Sequence, residues 1–81
     1  MDCQGPVEYG VDYHGNDITV DYDVDHWQRC AWNCADNWKC LFWTYNIRDK
    51  WCVHKSSDNG RYPVPHAISG HEHCVHECSG N

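Results

Sequence analysis

The side chains best able to do chemistry here are seven cysteines and seven histidines, and several of them crowd one end. His71, His73, Cys74, His76 and Cys78 lie within eight residues of one another. Imidazole and thiolate are the usual ligands of zinc, so a zinc-binding tail is the first chemistry to weigh. Ligands this close along the chain strain a tetrahedral shell, and a cysteine held in a disulfide offers no thiolate. A metal-binding domain built on the His-rich tail remains a rival reading, and no metal ligand is assigned. Asp17, Asp21, Asp23 and Asp25 raise calcium. They lack the sixth-position glycine and the closing glutamate of an EF-hand loop. Alternating carboxylates on a strand more often form a solvated face that discourages edge pairing. Ser56, Ser57, Ser69 and Ser79 fall in loop or tail contexts without a nucleophile elbow. The expectation is no catalytic residue, no cofactor and no enzyme.

Elements that would position these residues follow from periodicity. Ile18, Val20, Tyr22 and Val24 alternate with Thr19, Asp21 and Asp23, the pattern of a half-buried strand with an acidic outer face. A helix follows, with Asp25 as N-cap and Gln28 completing a capping box. On that helix Trp27, Cys30, Ala31 and Cys34 share one face while Arg29, Trp32 and Asp36 point away, and Asn37 is the stop. Cys40–Tyr45 reads as a buried strand, Asn46–Lys50 as a polar turn, and Trp51–Lys55 as the returning strand. Residues 1–16 read as an extended opening segment punctuated by Gly5, Gly10 and Gly15. Tyr62–Val64 reads as a short edge segment limited by Pro63 and Pro65, and Ser69–Gly70 as a turn. Cys30 and Cys34 thus face two cysteines of the hairpin, Cys40 and Cys52, and bonds from helix to sheet would staple the two layers. Spacing alone leaves the connectivity open.

Such staples are needed. Leu, Ile, Val and Phe supply only twelve of the 81 residues, with Leu41 the sole leucine. Five Trp and five Tyr fill the deficit, and a domain this small with so many cysteines is normally held by disulfides. That chemistry places the chain outside the cytosol, as a secreted module. The absence of a signal peptide before Asp2 reads as excision from a longer secreted chain. Twelve acidic against six basic residues give a net charge of −6, which argues against nucleic acid as a partner. No apolar run approaches a membrane span, so direct membrane insertion is not expected.

Several short patterns stand in order along the chain: Gly15-x-Asp17-Ile18, Cys30-x3-Cys34-x5-Cys40, Phe42-Trp43-Thr44-Tyr45-Asn46, Cys52-x2-Lys55-Ser56, and Ser69-Gly70 before Cys74. In this the sequence resembles the PAN/Apple domain, most closely the modules of apicomplexan microneme adhesins. His54 departs from the pattern, standing where the family usually has leucine. The resemblance implies a small disulfide-rich α+β module, an antiparallel sheet of about five strands curved around one helix. It covers residues 1–81 as a single module with its core at about 3–74. It also implies the pairings Cys30–Cys52, Cys34–Cys40 and Cys3–Cys74, with Cys78 unpaired or intermolecular. The function implied is a non-catalytic adhesion module that binds a host-surface protein or glycan, held in a microneme and then displayed on the parasite surface. The alternative is a structural module of a tandem array that contacts its neighbours or a partner protein of the same complex.

The aromatics sort by phase. Trp27 faces the core, as does Phe42; Trp43 and Tyr45 fall on the opposite sheet face and also pack. Trp32, outward beside Arg29 and Asp36, suits a protein or sugar contact. Trp51, beside Lys50, is a second such position, and Arg29 and Lys55 complete the ligand-contact candidates. With only Arg29, Lys39, Arg48, Lys50, Lys55 and Arg61 as cations, no heparin binding is expected at neutral pH.

Overall fold

In a computed structural model the structure describes residues 7–71. The elements run β1 (Glu8–Tyr13), β2 (Asp17–Asp21), α1 (Trp27–Asp36), β3 (Phe42–Asn46), β4 (Trp51–Lys55) and β5 (Arg61–His71). The five strands form one sheet in the order β1-β5-β3-β4-β2, every pair antiparallel. Helix α1 covers one face of it.

The helix-covered face is the core. Side chains alternate across a strand, and in β3 the alternation sends Trp43 and Tyr45 toward the helix, together with Cys52 of β4 and Ile68 of β5. Cys30, Ala31 and Cys34 answer from the helix. Trp27 stacks flat on Trp43 with ring centroids 5.7 Å apart and planes 7° from parallel, an area that replaces the missing aliphatics. The Tyr45 hydroxyl donates to the Val24 carbonyl at 2.5 Å and fixes the chain as it enters the helix. Cys30–Cys52 and Cys34–Cys40 cross from helix to sheet and to the strand's approach, each with Cα atoms 5.2 Å apart. Cys3, Cys74 and Cys78, and the tail residues His73 and His76, lie outside the described residues.

Gly70 makes the Trp stack possible. A Cβ at that position would stand 2.6 Å from Cζ2 of Trp43, closer than packed carbon atoms approach. Gly70 lies within β5 opposite Trp43, so Ser69–Gly70 is strand and not the turn its composition suggests. Tertiary contact with an indole, not turn geometry, asks for the glycine.

β5 is longer than its prolines suggest. Pro63 and Pro65 are tolerated because β5 changes register against β1 there: Tyr9 pairs with Ile68, but Val11 pairs with Pro63. Gly10, with φ +77°, sits at the matching irregularity in β1. The shift lets the end of β1 turn over the sheet face away from the helix. Tyr13 meets Phe42 edge-on at 5.8 Å, and its N–H donates to Thr44 Oγ1 at 3.5 Å. Phe42 is therefore under β1 and not under the helix, because Cys40 precedes the strand and does not share its alternation.

Two further expectations are corrected. His26, not Asp25, caps α1: its Nδ1 accepts the Arg29 N–H at 3.3 Å. β2 ends at Asp21, and Asp21 is not on an outer acidic face. It stands opposite Cys52, which places it on the helix side, where Oδ2 accepts from Asn33 Nδ2 at 3.3 Å and lies 2.9 Å from His54 Nε2.

Candidate functional site

The sheet face away from the helix carries a groove of about 300 Å³. Its floor comes from alternate positions of three strands: Thr44 and Asn46 of β3, Val53 and Lys55 of β4, and Ala67 of β5. The turned-over end of β1 supplies a wall through Asp12 and His14, and Trp51 stands at the other side. Strand alternation thus gives one sheet a face that packs the helix and a second face that carries the groove.

Lys55 is the unusual residue of this floor. It is 3% exposed, and burial of an ammonium requires hydrogen-bonding partners. Its Nζ donates to the Gly15 carbonyl at 3.1 Å and to Asp17 Oδ1 at 2.5 Å. These two acceptors flank the same turn, so Gly15-x-Asp17 and Lys55 form one unit that ties the β1–β2 connection to β4. An ammonium has three donors, and among the described residues these two acceptors take two of them.

A relay of hydroxyls stiffens the floor beside it. Ser69 donates to the Val11 carbonyl at 2.6 Å, so its oxygen is left to accept from the Thr44 hydroxyl at 2.7 Å. Thr44 Oγ1 in turn accepts from Tyr13 N–H. The end of β1 beyond the register shift, still paired with the start of β5, is thereby held down on the sheet. Tyr13 and Arg61 both bond Glu8. Hydrogen bonds from Arg61 and Tyr13 hold the Glu8 carboxyl below its usual range. Desolvation, followed by the neighbouring Glu8, raises the Tyr13 phenol well above its ordinary value.

Trp51 is 42% exposed and is held edge-on against Tyr22, centroids 5.5 Å apart. The β3–β4 turn that delivers it is set by Asn46, whose Oδ1 accepts the N–H groups of Arg48 and Asp49, both at 2.9 Å. Lys50 closes the turn at φ +61°. An aromatic face beside a polar floor, both pre-set by the backbone, is the arrangement that small-ligand sites share.

The four ligand-contact candidates do not meet in one place. Trp51 and Lys55 line the groove. Arg29 lines a larger, more open cleft of about 640 Å³ on the helix side, with Asp21, Asp23 and Asp25. Trp32 stands on the outer helix face, 41% exposed. Asp12, His14 and His66 of the groove were not singled out by the sequence. Asp12 and His14 come from the end of β1 and the residue after it, and His66 from the middle of β5; the β1–β5 register shift lies between them, and no local pattern announces that.

Among the described residues one cluster has the composition of a metal site, Asp21, Cys52 and His54. Cys52 is bonded to Cys30, which leaves one carboxylate and one imidazole, too few to hold zinc. Two of the four aspartates weighed for calcium are likewise engaged, Asp17 by Lys55 and Asp21 by His54 and Asn33. No helix among the described residues is long and apolar enough to cross a membrane.

The sequence model of the PAN domain family matches residues 8–73, from the first residue of β1 to two residues beyond β5. No curated protein matches the chain.

Proposed function

This chain belongs to the PAN domain family, whose members are in general non-catalytic modules that bind proteins or carbohydrates, and from that premise we propose that the groove is its ligand site and takes a neutral sugar residue of a glycan. The observation that carries this is one groove in which the half-exposed Trp51 indole stands at one end of β4 while Asp12, His14, Asn46 and His66 give the rest of the lining its polar character. A pyranose offers an apolar face for the indole and hydroxyls for the polar side chains of the groove wall. Asp12 and Asp17 on the rim outweigh the one lysine charge and disfavour an acidic sugar. By the likeness to microneme adhesins, such binding serves attachment to a host surface after release from a secretory organelle. The two disulfides fit the extracellular side of that reading. A second reading, contact with a partner protein or a neighbouring module, is favoured by Trp32 with Arg29 one turn away on the helix.

A glycan array with soluble-sugar competition tests the reading. Retention should be confined to neutral glycans, and Trp51→Ala should weaken it roughly tenfold or more, as loss of a central aromatic contact does, with an unchanged melting temperature. Retention that Trp51→Ala leaves intact but Trp32→Ala removes would move the site to the helix. A blank array with capture of a protein partner would discard the sugar.

A further inference from the structure

His54 is 4% exposed, and both of its ring nitrogens are engaged on the helix side of the sheet. Nε2 lies 2.9 Å from Asp21 Oδ2 of β2. Nδ1 lies 3.1 Å from Asn37 Nδ2 at the C-cap of α1. The backbone fixes which way that amide points. Asn37 Oδ1 accepts the Lys39 N–H at 3.1 Å, so Nδ2 is the atom turned to the ring, and an amide nitrogen only donates. Nδ1 must therefore accept, and the neutral ring carries its proton on Nε2, given to Asp21. Asp21 is the charged side chain bonded to the ring; the other elements packed here contribute Trp43, the Cys30–Cys52 bridge and the neutral Asn33 and Asn37.

We propose that His54 is a proton sensor that re-poses the surface turn carrying Trp38. When the ring takes up a proton, Nδ1 becomes a donor facing the donor of Asn37. The Nε2 bond to Asp21 survives and gains a full ion pair, so the ring stays and the amide must yield. A flip of Asn37 turns Oδ1 to the ring and presents Nδ2 to the Lys39 N–H, which loses its acceptor. The rest of the turn keeps its bonds, since Cys40 N–H donates to the Asn37 carbonyl at 2.8 Å, Asn37 N–H donates to the Cys34 carbonyl at 3.0 Å, and Cys34–Cys40 closes the loop. The change is thus confined to Trp38 and Lys39. Trp38 is 84% exposed, and Lys39 Nζ lies 5.3 Å from its ring centroid, so an aromatic–cation surface answers to a buried proton. The device stands on residues of the helix side and is independent of the groove and of its ligand.

Residue-resolved NMR of the oxidised chain between pH 7.5 and 5 tests it, in the range where imidazoles titrate and most carboxylates stay charged. At the neutral end His54 should be the Nε2–H tautomer. The Asn37 side-chain amide and the Lys39 N–H should move with the His54 midpoint, and Lys39 exchange, corrected for its intrinsic pH dependence, should speed up roughly fivefold for one lost hydrogen bond. Asn37→Asp supplies a carboxylate that accepts from both the charged ring and the Lys39 N–H, so Lys39 should no longer respond to pH. A Nδ1–H tautomer at neutral pH, a Lys39 signal that is flat while His54 titrates, or an undiminished Lys39 response in Asn37→Asp would each overturn the proposal.

Discussion

The two faces of the sheet are made by the same strands on alternate residues, yet they solve different problems. The helix side packs stacked indoles and two disulfides against a single short helix. The other side buries a lysine, a threonine and a serine in a hydrogen-bonded floor and leaves an open groove. The difference shows how a chain poor in aliphatics stays folded while keeping one face polar. Covalent bonds and large aromatic areas hold the closed side, so the open side is not required as a core.

That division breaks most visibly at the bridges. In the chain-entropy account, replacing Cys30 and Cys52 with Ala costs about 3 kcal/mol, and replacing Cys34 and Cys40 costs about 2 kcal/mol, because the first pair closes the longer loop. Chemical denaturation measures both. Equal losses, or a larger loss for the short loop, would show that the helix is held by packing and not by the constraint on the unfolded chain.

Gly70→Ala probes the same face without touching sulfur. The added methyl meets the Trp43 indole, and an overpacked core costs about 1–3 kcal/mol. The near-UV signal of the Trp27–Trp43 stack should change with it. A variant of native stability would mean that the indole slides without resistance, and the closed face would then be less rigid than the open one.

How much of this was legible in the sequence depends on whether the cause was local. The helix, the β3–β4 hairpin and the inward phase of Cys30, Ala31 and Cys34 follow from periodicities of a few residues. The two helix-to-sheet pairings were given by likeness to a family and not by spacing. β5 was hidden because Pro63 and Pro65 argue against a strand, and only the register shift against β1 makes room for them. Asp21 looked solvated because alternation fixes which residues share a face but not which face meets the helix. The groove was half legible: Trp51 and Lys55 were singled out, but Lys55 needed Gly15 and Asp17, which are forty and thirty-eight residues away, to explain its burial. His66 and Asp12 carry no local signal at all.

Alkaline titration compares the faces through one tyrosine on each. Tyr13 pins β1 over the open face, and its phenol is raised strongly by desolvation and then by Glu8. Tyr45 lies on the closed face, its phenol raised by desolvation and then by Asp25. A phenol raised in the folded state keeps its proton while the unfolded chain loses its own. Stability is therefore intact below the ordinary phenol value and declines as pH rises above it. Tyr13→Phe should flatten that decline more than Tyr45→Phe, since the larger shift is at Tyr13. On the acid side the sign reverses for Glu8, whose lowered carboxyl stabilises above the ordinary carboxylate value and ceases to do so as pH falls through its folded value. Glu8→Gln should remove that acid-side slope. An alkaline decline untouched by Tyr13→Phe would mean that the turned-over strand is not held by its phenol.

The smallest expected effect is an interaction that fails on both faces. Heparin needs clustered cations, and counterion release is what drives its binding. The six basic residues are scattered or already engaged. Lys55 is buried on Asp17 beneath the groove, and Arg61 is paired with Glu8 at the edge of the turned-over strand. On the helix side Arg29 shares its cleft with Asp21, Asp23 and Asp25, and Lys39 lies over Trp38. Arg48 and Lys50 remain, in a turn that also holds Asp49. A sulfate meeting nearly all of these meets carboxylates as well, and Lys39 stands alone as a cation, so no retention on a heparin column is expected at pH 7.4 and physiological salt. Weak retention that appears only below about pH 6 fits the added positive charge of a chain with seven histidines. Tight, salt-sensitive retention at pH 7.4 would overrule the charge argument. Loss of that retention in Arg48→Ala with Lys50→Ala, and not in Arg29→Ala, would then put a sulfated ligand at the β3–β4 turn, outside both the groove and the helix-side cleft.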